Sequence, residues 1–85
     1  MSYRVEFQRE ARKELAALPA DARTRVSLAI ASLAVHPRPS GMKKMRGRAR
    51  WRIRVGSYRV IYTVFDTEQL IIIERIARRT THTYD

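Results

Sequence analysis

The chain begins with a strict alternation. Tyr3, Val5 and Phe7 are apolar, and Arg4 and Glu6 between them are charged, which predicts a short β-strand. From Gln8 the period changes. Phe7, Ala11, Leu15 and Leu18 fall four, four and three residues apart, one stripe of an amphipathic helix that Pro19 stops. Asp21 stands where a carboxylate stabilises the N-terminus of a second helix. Ala22, Val26, Ala29, Ile30 and Leu33 form the apolar stripe of that helix, and the His36-Pro37-Arg38-Pro39-Ser40-Gly41 run ends it in a loop. The two helices, joined by a short turn, read as a hairpin.

The second half has the period of strands. Trp51, Ile53 and Val55 alternate with Arg50, Arg52 and Arg54, and Gly56-Ser57 supplies a two-residue turn. Residues 58–65 are rich in β-formers, Asp66-Thr67-Glu68 marks a second turn, and Leu70 to Ile73 is an unbroken apolar run, predicting a strand covered on both faces. The pattern gives the order β-α-α-β-β-β. That is an α+β fold in which one antiparallel-rich sheet carries a helical hairpin on one face, as a single domain over residues 1–85. If Gly56-Ser57 is the hairpin turn, Val55 lies opposite Tyr58, Arg54 opposite Arg59, and Arg52 opposite Ile61. Trp51, Ile53, Val55, Tyr58, Val60, Tyr62 and Val64 then face the helices, and the arginines face away.

Charge sharpens this picture. The formal net charge is +10. Residues 38–59 hold Arg38, Lys43, Lys44, Arg46, Arg48, Arg50, Arg52, Arg54 and Arg59 with no acid, whereas both flanking stretches mix signs. Basicity confined to one stretch reads as a docking surface for a polyanion. Directly opposed like charges such as Arg54 and Arg59 weaken a sheet, and an anionic ligand would relieve them. Arginine suits phosphate because its planar fork donates two hydrogen bonds and keeps its charge.

Other chemistries are poorly served. There is no cysteine for a disulfide or a thiolate metal site, and His36 and His82 are too few for a metal centre, so no metal or cofactor is expected. No apolar run approaches the length of a membrane span, and the first residues lack an apolar signal core. The expected location is the cytoplasm, without membrane attachment.

The segment Trp51-Arg52-Ile53-Arg54-Val55-Gly56-Ser57-Tyr58-Arg59-Val60-Ile61-Tyr62 resembles the central hairpin of RelE-type toxins. Pro37-Arg38-Pro39 with Met45-Arg46-Gly47 resembles their loop between helix and sheet, and Ile76-Ala77-Arg78-Arg79 followed by Tyr84 resembles their C-terminal active-site segment. The ordered set covers nearly the whole chain. The resemblance implies a RelE-like fold and a toxin of a type II toxin–antitoxin system. The implied activity is metal-independent endoribonuclease cleavage of mRNA in the ribosomal A site, which inhibits translation. A cognate RelB-like antitoxin would neutralise the toxin in a hetero-oligomer.

By the same resemblance, Arg52 and Arg54 match the two basic positions of the first hairpin strand. Arg59 matches the phosphate-binding arginine after the turn. Arg79 matches the arginine ending the last strand, with Arg78 as its neighbour, and Tyr84 matches the C-terminal tyrosine that stacks on the substrate base. His82 with Tyr84 is similar to the histidine and tyrosine of YoeB-type relatives. Some family members carry lysines in place of Arg52 and Arg54. Because arginine is a poor base, the general acid and base stay open between Tyr84 and His82. Lys43, Lys44, Arg46, Arg48, Arg50 and Arg78 are expected to contact RNA backbone, chiefly that of 16S rRNA. Two rival readings remain: a ParE-like gyrase inhibitor on the same fold, and a non-catalytic RNA-binding module. Glu68 and Glu74 are read as turn and surface residues without a role.

Overall fold

The computed structural model describes residues 2–39, 43–44 and 50–78, the 43–44 pair by its backbone. Strand β1 (Arg4–Phe7) leads into helices α1 (Arg9–Ala16) and α2 (Ala20–Leu33). Four strands follow: β2 (Lys43–Lys44), β3 (Arg50–Val55), β4 (Tyr58–Phe65) and β5 (Leu70–Arg78). They form one sheet in the order β1-β5-β4-β3-β2. β1 runs parallel to β5, and the other neighbours are antiparallel.

Both helices pack on one face, giving the α+β arrangement that the pattern predicts. Ala11 of α1 and Val26, Ile30 and Leu33 of α2 meet Ile53, Val60, Tyr62, Val64, Ile71, Ile73 and Ile76 from the sheet in a single core. Burying such side chains stabilises the fold by roughly 1.5–3 kcal/mol each. Pro19 sits at the start of α2 and ends the turn after α1, and Asp21 lies in the first turn of α2. Around Gly56-Ser57, Val55 pairs with Tyr58, Arg54 with Arg59 and Arg52 with Ile61, the register read from the sequence. Gly56 adopts φ 59°, the left-handed conformation that a tight hairpin turn requires and glycine accepts most easily.

Two features depart from that reading. Lys43 and Lys44, read as loop, form β2 and pair with Arg52 and Trp51 at the sheet edge. Two lysines carry almost no strand signal, but lysine is a common edge residue because its charge discourages further pairing. The second departure is in β5. Ile73 pairs with Tyr62 and Arg75 with Ile61, so Glu74 is an extra residue, a β-bulge. The bulge flips the alternation. Ile71 and Ile73 point into the core before it, and Ile76 points into the core after it, opposite Val60.

The loop after α2 is bound to the far end of the sheet. The Arg38 guanidinium donates to both Asp66 oxygens, at 3.1 and 2.8 Å, and lies 5.3 Å from the centroid of the Trp51 ring. The Tyr3 hydroxyl donates to Asp66 Oδ1 at 2.7 Å. The guanidinium, and then the Tyr3 hydroxyl, hold the Asp66 carboxyl below the usual range, and the bond to Asp66 raises Tyr3. Below them the Tyr62 hydroxyl donates to the Pro37 carbonyl at 2.8 Å, and burial pushes this phenol up to about 12. A phenol raised in the folded state stabilises the protein below its ordinary value near 10 and loses that contribution as pH rises toward 12. Urea unfolding at pH 9 and pH 12 tests this. Wild type should lose about 2 kcal/mol more across the window than Tyr62→Phe, and equal losses would show that the phenol ionises freely in the folded chain.

Candidate nucleic-acid interface

The sheet face turned away from the helices carries Arg50, Arg52 and Arg54 from β3 and Arg59, Ile61 and Thr63 from β4, by register and alternation. Ala77 of β5 lies beside Arg59. Arg59 therefore lies between the small Ala77 on one side and Arg54 on the other. Arg54 is exposed and Arg59 half-buried.

Arg52 is the buried member of this set. It is only 6% exposed, because β2 and β4 flank it on both sides. At such a buried place the field of a charge is screened less than at the surface. Arg52, Arg54 and Arg59 all hold polar or electrostatic interactions within the fold.

The remaining candidates divide by place. Arg50 forms an ion pair with Glu74, Nε to Oε1 at 2.9 Å, and so is partly neutralised. Arg78 pairs with Tyr58, which the alternation puts on the opposite side of the sheet from Arg54 and Arg59. Lys43 and Lys44 lie in register with Arg52 and Trp51 through β2. Arg46, Arg48, Arg79, His82 and Tyr84 lie outside the described residues. Trp51 packs against the core, as its parity predicts, and His36 is exposed at the end of α2.

Two acids that the sequence reading left without roles organise this face. Glu74, lifted by the bulge, accepts a hydrogen bond from the Thr63 hydroxyl as well as pairing with Arg50. It places a carboxylate in the middle of the basic side. Glu14 reaches from α1 to the part of β5 that β1 does not cover. Its Oε1 accepts the Ile76 backbone N–H at 2.7 Å, and its two oxygens accept three bonds from Arg75, the shortest 2.7 Å. An edge N–H that would lack a partner is thereby satisfied. Burial raises the Glu14 carboxyl, but the bonds from Arg75 and Ile76 outweigh it, and the net shift is downward. Beside this bridge a cleft of about 470 Å³ opens, lined by Gln8, Glu10, Arg50, Ile61, Glu74 and Arg75. Among the described residues no group of histidines and acids is arranged to hold a metal ion, and no helix is long and apolar enough to cross a membrane.

Residues 5–82 match the family described as the ParE toxin of type II toxin–antitoxin systems. RelE1 of Methanocaldococcus jannaschii, which carries a toxin name, is 31% identical over 83 residues, 93% of this chain and 92% of that protein. The archaeal RelE–RelB complex from Pyrococcus horikoshii contains a chain 30% identical to this one, with a TM-score of 0.85 over 95% of this chain and 99% of that chain. The RelBE2 toxin–antitoxin complex from Mycobacterium tuberculosis gives 28% identity and a TM-score of 0.80 over 93% of this chain and 100% of that one.

Proposed function

Because this chain belongs to the toxin family of type II toxin–antitoxin systems, as a RelE-type member, we propose that it is a ribosome-dependent endoribonuclease that cuts mRNA in the A site. The observation that carries the reading is the arginine face, with Arg54 directly opposite Arg59 and the buried Arg52 two residues from Arg54 along the strand. Clustered cations favour the binding of an anion, and a phosphodiester passing through a dianionic phosphorane is the anion that most needs them.

The chemistry proceeds from the ribose 2′-OH, which attacks its own phosphorus, forms the cyclic phosphate and expels the 5′-oxygen. Arg59 and Arg79 grip the phosphate, and Arg54 supports them. Arg52 stabilises charge or orients the 2′-OH. Tyr84 and His82 are the candidates for the two proton transfers. Arginines supply the electrostatic stabilisation that other nucleases draw from metal ions. Lys43, Lys44, Arg46, Arg48, Arg50 and Arg78 neutralise ribosomal RNA phosphates, which makes docking steeply salt-dependent. The partner is a RelB-like antitoxin, in keeping with the toxin–antitoxin complexes formed by the P. horikoshii and M. tuberculosis relatives. The site of action is the cytoplasm.

The test is to add purified protein to programmed 70S ribosomes and map mRNA breaks by primer extension, with naked mRNA and Arg79→Ala alongside. A-site cleavage that needs ribosomes and is lost in the variant is the expected result. Intact mRNA from folded protein would overturn the reading. Gyrase inhibition would then favour the ParE-like reading, and retained RNA binding would favour a non-catalytic module.

A further inference from the structure

The cleft beside the arginine face has a composition that phosphate binding does not explain. A surface built only to hold a polyanion excludes carboxylates, yet Glu74 and Glu10 both line this cleft. Glu74 is no stray surface acid. The β-bulge places it, and Thr63 and Arg50 hold it, with its side chain 21% exposed. Each carboxylate oxygen has capacity for a second hydrogen bond, so these contacts leave acceptor sites on Glu74 for a ligand. The Arg50 guanidinium stands beside it as a donor. Ile61 adds apolar surface, and Gln8 offers both a donor and an acceptor. The volume, about 470 Å³, lies within the roughly 300–1,000 Å³ of small-ligand pockets. The cleft also adjoins the arginines, because Ile61 pairs with Arg52 on one side and Arg75 on the other.

We infer that this cleft is a nucleobase subsite, taking an unpaired base next to the phosphate held by the arginines. The inference rests on the RNA-cleaving reading and adds a preference to it. Single-stranded RNA is read through base edges and stacking surfaces. Two carboxylates on one cleft call for two donated N–H groups. The exocyclic amino group of cytosine, adenine or guanine supplies both, and the neighbouring ring nitrogen accepts from Arg50. Uracil offers one N–H flanked by two carbonyls. The subsite therefore selects amino-bearing bases over uracil.

Fluorescence anisotropy at fixed salt with labelled hexacytidylate and hexauridylate tests this on the full chain. Removing a carboxylate raises affinity for every RNA by relieving repulsion, so the ratio of the two affinities is the readout, and charge cancels in it. Wild type should favour hexacytidylate by about tenfold. Glu74→Gln should bring the ratio close to one, and Glu10→Gln, an exposed first-turn change, should reduce it severalfold even if Glu74→Gln fails to fold. Glu68→Gln makes the same charge change in the β4–β5 turn and should leave the ratio alone. A ratio unmoved by both cleft variants overturns the subsite while the RNA reading stands. Wild type that binds both oligonucleotides equally, or binds neither, overturns the subsite, while cleavage on programmed ribosomes decides the RNA reading separately.

Discussion

Arg59→Ala should lower A-site cleavage by roughly 100- to 1,000-fold, the usual cost of removing one donor from a developing oxyanion, while the protein stays folded. The second half of that expectation comes from the register. Arg59 faces Arg54 across the strand pair, so deleting it removes a like-charge contact worth a few tenths of a kcal/mol or more of destabilisation. Its side chain is only half-buried, next to Ala77, and no apolar cavity is created. Relief of that repulsion offsets the interactions that Arg59 itself makes in the fold, so the melting temperature should change little. Arg59→Lys keeps the charge but loses the two-pronged fork, and should fall between wild type and alanine. Mapping breaks on programmed ribosomes alongside a melting curve checks both halves. Full activity in the alanine variant removes Arg59 from the phosphate site, and a large loss of stability makes it a structural residue.

Glu14→Ala carries the largest expected stability effect. It strands the Ile76 N–H, which costs about 1–3 kcal/mol, and dissolves a largely exposed pair with Arg75, which adds at most about 1 kcal/mol. For a domain of this size each kcal/mol moves the melting temperature by roughly 4–8 °C, so a fall of about 10 °C is expected. Glu14→Gln keeps an acceptor for the N–H and should be milder. The effect also depends on pH in a defined direction. A carboxyl held below its ordinary range stabilises the fold above that range and ceases to do so as pH falls through its folded value. Wild type and Glu14→Ala should thus converge on acidification. Melting curves at pH 7 and pH 3 would show it, and a constant gap would mean that the carboxylate charge is not what holds the strand.

The hairpin was legible because its signals are local. Alternation in residues 50–55 and one turn suffice to set the face of Arg52, Arg54 and Arg59, and the register observed is the one those signals dictate. The helices were legible for a similar reason, with periodic stripes ended by Pro19 and by the Pro37–Pro39 loop. What escaped reading depends on distant neighbours. Arg52 is buried because strands pair on both its sides, and one of those strands is two lysines long. Glu14 touches β5 sixty-two residues away, a contact that no periodicity on α1 announces. The bulge did leave a trace. Buried isoleucines at 71 and 73 and then at 76 break the two-residue period between 73 and 76, which only an inserted residue reconciles with one continuous strand.

The order of strands in the sheet differs from their order along the chain, and this has a consequence for assembly. Among the described residues β1 is made first but pairs with β5 alone, while β5, the last of their strands, lies between β1 and β4. The first strand must wait for residues 70–73 before it has a ladder to join, with both helices and the hairpin already synthesised. Closing so long a loop makes this step slow relative to the local hairpin and helices. A partial chain emerging during synthesis therefore holds the β3–β4 arginines on a hairpin whose other flank is still open. The sheet that carries the basic face is complete only once β5 has been made.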